Sequence, residues 1–284
     1  MKRILILLAA AAALCACSQE KKVMARFVPE RSDDFVFENN LIAGRFYGKA
    51  LEGNPTSPGL DIWVKLPGKL VADEWYKGFE TQSDEYYHHD HGGKDCYKVA
   101  VSLGGGASSP LIDGKLCYPA TNYRSWEIVE ESPEKVVFTL HYPQWQTPDS
   151  VMVALDKTVT VVPDTYFCAV EDVYTFEGTD TLAIAAGMNI HAALETVEKQ
   201  LIQPGRVAIW EHASDQTFEP EDGMLGVAVV MPDADGTSLS EDGTHLLVWE
   251  YVTSGQPVRY SFGSCWSKGD IKTAQDWFEL VANR

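Results

Sequence analysis

The amino-acid sequence predicts an all-β protein, a large antiparallel β-sandwich with one short C-terminal helix. Short β-rich runs recur along the chain, separated by clusters of Gly, Pro, Asn, Asp and Ser. Several alternate apolar and polar residues with period two, as in Lys135-Val-Val-Phe-Thr-Leu-His-Tyr142, the pattern of a sheet with one wet face. A single stretch shows convincing helical spacing. Ala274, Trp277, Phe278 and Val281 fall at i, i+3, i+4 and i+7, with Asp270 or Thr273 available as the cap.

In chain order, Phe35–Phe37 breaks at Asn39-Asn40 and resumes over Leu41–Tyr47, a hairpin signal. Further strands are expected at Asp61–Lys65, Tyr97–Leu103, Ser125–Val129, Lys135–Tyr142 and Ser150–Val162. The remainder are Tyr166–Phe176, Leu182–Ile190, Val207–Glu211, Leu225–Met231, His245–Tyr251 and Val258–Trp266. Leu103-Gly-Gly-Gly-Ala-Ser-Ser-Pro110 is glycine-rich but lacks the Gly-Lys-Ser/Thr ending of a phosphate loop, so a tight loop is expected. Roughly a dozen strands, no repeat of fixed period and no composition break point to one sandwich domain over residues 33–284.

The chain has 284 residues and a formal charge of −18, with a pI near 4.7. Phosphate-backbone binding needs a broad cationic surface, so nucleic acid is not an expected partner. Met1-Lys2-Arg3, the apolar run Ile4–Ala13 and Leu14-Cys-Ala-Cys17 read as a lipoprotein signal over residues 1–16. Lipidation is expected at Cys17, followed by a polar linker over 17–32 and membrane attachment through acyl chains. The expected location is the bacterial cell envelope, anchored to the outer membrane on its periplasmic face or at the cell surface. Cys96, Cys117, Cys168 and Cys265 show no CxxC or zinc spacing and carry no disulfide assignment; Cys117 and Cys168 sit in apolar runs as small core residues.

The densest polar cluster is Tyr86-Tyr-His-His-Asp-His-Gly-Gly93. Imidazoles exchange protons near neutral pH or bind transition metals, so His88, His89, Asp90 and His91 read as a sugar or catalytic site, a divalent-metal site, or a hydrated loop. No cofactor is required. Tyr97 and Lys98 follow; Lys98 is a partner for a substrate carboxylate or a solvent-facing residue. Arg124 stands between Tyr123 and Trp126, suited to clamping a carboxylate while an aromatic face packs on a sugar ring, or to stacking on Trp126 with no ligand. Trp145 ends a strand in a similar group, and His191 ends another. Glu171 and Glu211 are the acids a hydrolase would need. No Gly-x-Ser-x-Gly, His-Glu-x-x-His or EF-hand pattern occurs.

Phe37-Glu-Asn-Asn-Leu-Ile-Ala-Gly-Arg-Phe-Tyr-Gly48, Asp61-Ile-Trp-Val-Lys65, Tyr87–Gly92, Asp95-Cys-Tyr-Lys-Val99 and Trp266-Ser-Lys-Gly-Asp270 resemble the bacterial secreted and lipoprotein family called domain of unknown function 4861. The likeness runs from about Phe35 to the C-terminal helix. It implies association with polysaccharide-degrading enzymes, including those acting on unsaturated uronides. A weaker similarity to galactose-mutarotase-like supersandwiches lies in strand density and in His191 at a strand end. The family pattern carries a carboxylate where this chain has His89.

Together these readings lead to a lipid-anchored, carbohydrate-active protein processing an oligosaccharide, one carrying uronic acid, by β-elimination or hydrolysis. His91 or His191 would transfer protons, Arg124 and Lys98 would meet the carboxylate, and His89, Tyr97, Trp126 and Trp145 would line the sugar. The rival is a non-catalytic glycan-binding lipoprotein of a polysaccharide-utilisation system. An envelope structural protein is a third class, which leaves the clustered His, Arg and Trp unexplained.

Overall fold

The computed structural model describes residues 20–53, 59–191, 199–213 and 220–284. The leader, Cys17 and the residues around it lie outside that set. Strands β1 (Val23–Val28), β2 (Asp34–Asn39), β3 (Ala43–Phe46), β4 (Leu60–Lys65) and β5 (Gly93–Lys94) make a five-stranded antiparallel sheet in chain order. The remaining strands are β6 (Ser108–Ile112), β7 (Lys115–Leu116), β8 (Ser125–Ser132), β9 (Lys135–Gln146), β10 (Met152–Val161), β11 (Phe167–Glu177) and β12 (Leu182–Asn189). They continue with β13 (Lys199–Gln203), β14 (Arg206–His212), β15 (Met224–Val230), β16 (Gly236–Leu239), β17 (His245–Val252) and β18 (Pro257–Trp266). These form an eight-stranded sheet, β13-β14-β15-β18-β11-β10-β9-β8, and a second five-stranded sheet, β16-β17-β12-β6-β7. The all-β sandwich expected from the alternation is the architecture observed.

Period-two alternation decides which face each strand buries. In β2, Phe35 and Phe37 enter the main core between the sheets, while Val36 turns to a second core under helix α1 (Ala72–Thr81). In the eight-stranded sheet, Leu225 and Trp266 face the main core; Trp210 and Cys265, one residue along, pack beneath helix α2 (Ala274–Ala282). Thr273 caps α2 by accepting from the Asp276 amide at 3.2 Å, and Trp277 and Val281 are fully buried, as their spacing requires.

Three sequence expectations differ from the structure. The polar lead expected as linker to residue 32 contributes β1, because Val23–Val28 pairs in register with Asp34–Asn39. Helix α1 was not expected. Its Ala72, Trp75, Tyr76 and Phe79 have helical spacing, but its N-cap position is Val71; Glu38 instead accepts from the Val71 and Ala72 amides at 2.9 and 2.8 Å. Tyr97–Leu103, expected as a strand, is irregular backbone with Ala100 at φ 47°. Its Lys98 carbonyl and Leu103 amide bond the side chains of Asn189, His191 and His245, and the Leu103 carbonyl accepts from the Leu60 amide at the start of β4 at 3.1 Å. The glycine-rich loop that follows is tight, as expected: a Cβ at Gly104 would stand 2.0 Å from the Leu60 carbonyl oxygen.

Trp277 joins α2 to the sheet, with its ring stacked on Phe167 at 5.6 Å. Trp277→Ala is expected to cost about 3–5 kcal/mol of stability through transfer and cavity terms, measured as the shift in the urea unfolding midpoint at constant slope.

Candidate active site

The segment Gly93–Lys98 leaves β5 buried as far as Tyr97 and surfaces at Lys98, and successive residues reach different parts of the sandwich. Lys94, 1% exposed, donates through Nζ to both carboxylate oxygens of Asp222 at 2.9 Å. Asp222 is tied to the eight-stranded sheet, since its carbonyl accepts from the Trp266 indole at 2.6 Å. The Tyr97 hydroxyl faces the carbonyls of Gly104 and Asn189 at 3.2 and 3.0 Å. Lys98 turns its side chain to solvent and its carbonyl inward.

That carbonyl meets His191, just beyond β12. His191 Nδ1 lies 2.7 Å from Glu211 Oε1, on β14. Cross-strand register aligns Glu211 with Leu225 and Trp266, so its side chain points inward from the eight-stranded sheet toward the end of the facing one. Nδ1 donates to this carboxylate. Nε2 has neighbours of opposite character: the Asn189 side-chain amide nitrogen at 3.1 Å and the Lys98 carbonyl oxygen at 2.9 Å. A neutral ring accepts from Asn189; a protonated ring donates to Lys98. Either state of Nε2 therefore has a partner in place, which suits a group that gains and loses a proton. The ring stands edge-to-face on Tyr97 with centroids 4.7 Å apart, and 18% of the side chain remains open to solvent.

Beneath the segment, Asp95 enters a buried charge cluster. Arg45 donates to Asp95 at 2.7 Å and to Asp61 at 2.8 Å, and lies 3.4 Å from Asp34, which Arg31 also contacts at 3.1 Å. The Arg45 guanidinium lies over the rings of Tyr87, Trp63 and Tyr47 at 5.0, 5.3 and 5.5 Å. Three carboxyls thus face two guanidinium groups, leaving one negative charge in excess. Burial, then the nearby Asp61 charge, pushes the Asp95 carboxyl up to about 8.

Of the residues singled out in the sequence, the structure brings together His191, Tyr97 and Lys98. The histidine cluster forms a separate loop beside them. His88 Nδ1 faces the Asp95 carbonyl at 3.2 Å, and burial lowers its pKa. His89 is exposed, and the ring of His91 is stacked on Tyr86 at 3.9 Å. Asp90 accepts from the Gly92 and Gly93 amides at 3.0 and 3.2 Å and from Lys268 at 2.9 Å. Among the described residues no three His, Cys, Asp or Glu side chains are placed to hold a metal ion; the metal reading of His88, His89, Asp90 and His91 finds no such group.

Arg124, Trp126 and Trp145 lie elsewhere. Arg124 precedes β8, six strands from β14 in the sheet order, about 29 Å at roughly 4.8 Å per strand. It forms a two-point ion pair with Glu52, 2.9 Å at Nη2–Oε2. Trp126 packs on Phe27 and Phe35 and is 40% exposed, whereas Trp145 is buried in the main core. Glu171 is exposed and paired with Arg259 at 2.8 Å. The sequence assigns no role to Lys94, Asn189 or the Arg45 cluster, and it reads Asp222 as part of a solvated acidic loop, whereas Asp222 is buried against Lys94. Glu211 is legible in the sequence as a strand-end acid that a hydrolase could use, but not as the partner of His191, since that pairing depends on two sheets meeting.

Fold and site define an all-β sandwich whose facing sheets bring a histidine and a glutamate together at an open rim. The chain belongs to the family described as Domain of unknown function (DUF4861), whose model matches residues 11–284. It is 31% identical over 273 residues to "Uncharacterized protein P7" of Formosa agariphila, covering 90% of this chain but 65% of that relative's length. Among solved structures, 4-alpha-glucanotransferase from Thermococcus litoralis gives a TM-score of 0.37 at 8% identity, over 86% of this chain and 40% of that one. A GalM/aldose epimerase homologue from C. elegans gives 0.24 at 12% identity, over 86% of this chain and 99% of that one.

The raised Asp95 carboxyl has a signed consequence. Its folded pKa of about 8 lies above the unfolded 3.8, so its contribution to stability is full below pH 3.8 and is lost as pH rises toward 8. Chemical denaturation across that window should show the wild type declining more steeply than Asp95→Asn, whose neutral amide mimics the protonated form. Parallel curves would show that Asp95 does not hold the proton.

Proposed function

We propose that this protein is a carbohydrate-active enzyme in which His191, oriented by Glu211, moves a proton on a uronic-acid-containing oligosaccharide. The observation that carries this reading is the double provision at His191 Nε2, with a donor for the neutral ring and an acceptor for the protonated one. The sugar class comes from the family resemblance, and the proton chemistry from the geometry.

β-Elimination uses these groups economically. Nε2 takes the C5 proton, the C5–H electrons become the C4–C5 double bond, and the C4–O bond breaks. The imidazolium then returns the proton to the leaving oxygen. In this reading the exposed ammonium of Lys98, the residue whose carbonyl touches His191, neutralises the substrate carboxylate as charge develops. Hydrolysis by paired carboxylates fits less well, because Glu211 is engaged by His191 and Asp222 by Lys94. Arg124 drops out of the proposed machinery because Glu52 neutralises it at the far edge of the sheet. We place the enzyme at the bacterial cell envelope, tethered through Cys17, among enzymes degrading the same polysaccharide.

The test is absorbance of a new C4–C5 double bond on a panel of uronic-acid oligosaccharides. His191→Ala is expected to lower kcat by about 10²–10⁴-fold and also to lower Tm, since it leaves the nearly buried Glu211 carboxylate without its imidazole partner. Lys98→Ala should lower kcat/KM chiefly through kcat, because the charge it meets grows in the transition state, and Arg124→Ala should leave kcat/KM unchanged. Full activity in His191→Ala, or shorter sugars without absorbance, would sink the elimination reading. Unaltered sugars that raise Tm would favour the glycan-binding lipoprotein.

A further inference from the structure

A cleft of about 450 Å³ lies between the β6–β7 hairpin and the turn after β16. Its walls are Lys115 and Leu116 of the β6–β7 hairpin, Ser240, Glu241 and Asp242 of the turn after β16, and Tyr118. The two turns close on each other, since a Cβ at Gly114 would stand 3.8 Å from Glu241 Cβ.

One cross-strand pair joins the cleft to the candidate site. Asn189 and His245 are partners in the β12–β17 ladder, so both side chains leave the same face of the sheet. Asn189 reaches His191 and the Lys98 carbonyl, while His245 Nε2 lies 3.3 Å from the Tyr118 hydroxyl and 3.2 Å from the Leu103 amide. A backbone N–H can only donate, so Nε2 is an acceptor and Nδ1 carries the hydrogen. Nδ1 donates to Thr244 Oγ1 at 2.7 Å, and Thr244 donates to Asp242 Oδ1 at 2.7 Å. The Tyr118 hydroxyl shares the single Nε2 lone pair with the Leu103 amide as a second donor at 3.3 Å. Burial keeps His245 neutral, with its pKa down at about 4.

Every hydrogen from Tyr118 to Asp242 is therefore committed inside the wall. Lone pairs remain for the cleft, on the Tyr118 oxygen and the Glu241 and Asp242 carboxylates, with the Lys115 ammonium as the charged donor. An aromatic ring beside several acceptors recognises a polyhydroxylated ring, whose apolar face packs and whose hydroxyls donate. Two carboxylates against one ammonium give the lining a net negative charge, which disfavours a carboxylated ring.

We infer that the cleft is a sugar subsite for a neutral or amino sugar, adjoining the His191 site where the uronate would react. Only the reaction of the neighbouring unit rests on the proposed function; binding in the cleft does not.

Saturation-transfer NMR tests this on the full chain with D-glucose, D-galactose, D-mannose, N-acetylglucosamine, D-glucuronate and D-galacturonate. At least one neutral or amino sugar should respond equally with wild type and His191→Ala. Its affinity should fall about tenfold in Tyr118→Ala, and the uronates should show no Tyr118-dependent signal. Glu241→Trp, an exposed substitution that fills the cleft without disturbing the core, should abolish the same signal even if Tyr118→Ala folds poorly. The inference is overturned if no sugar responds, if neither variant changes the signal, or if the uronates are the ligands that depend on Tyr118. Retained binding together with unimpaired turnover in His191→Ala would remove the reaction assignment and leave the subsite standing.

Discussion

Backbone that leaves its own sheet and runs buried between others is costly unless each polar group finds a partner, and the stretch from β5 through Lys98 is held on that condition. Lys94 is held by Asp222, Asp95 by Arg45, Tyr97 by two carbonyls, and the Lys98 carbonyl by His191 and Asn189. The segment thus ties the N-terminal sheet to both others at one rim. Its path fixes where His191 rests and leaves the Lys98 ammonium outside.

Buried charge is handled here in compensated groups. Besides the Arg45 cluster, Lys65 pairs with Glu38 at 3.1 Å and Lys157 pairs with Asp172 at 2.5 Å, all nearly inaccessible to solvent. Such pairs contribute little net stability over apolar packing, yet removing one partner strands the other charge. Glu38 shows what the arrangement can achieve beyond neutralisation: it binds Lys65 and caps α1, coupling a strand, a lysine and a helix start. Lys157 lies in the main core with Ser108 and Tyr260, so the β6, β10 and β18 registers meet at one polar point.

The strongly acidic surface sets a condition on any anionic substrate. Long-range charge of −18 repels a polyuronide, while salt limits that repulsion to roughly 8–10 Å. The proposed reaction therefore places its cations locally, at the rim, where Lys98 is exposed and Lys94 and Lys268 are each paired with an aspartate. The proposed division of labour follows the same charges, with a carboxylated unit at Lys98 and an uncharged unit at Glu241 and Asp242.

Local pattern was enough to determine the all-β class, α2 and the strands of the eight-stranded sheet apart from β13, because period two and the Thr273–Trp277–Val281 spacing are written within a few residues. It also marked His191, Tyr97 and Lys98 as chemically notable. The tertiary structure decided the rest. Glu38 caps α1 from 33 residues upstream, so that helix start has no local signature. Arg124 was an attractive carboxylate clamp beside two aromatics, but strand order placed it at the opposite edge of the sheet, against Glu52. Glu211 became the partner of His191, 20 residues away, only because two sheets converge at one end. Periodicity records which face a residue turns to the core; the strand that will lie opposite is set by sheet order and packing.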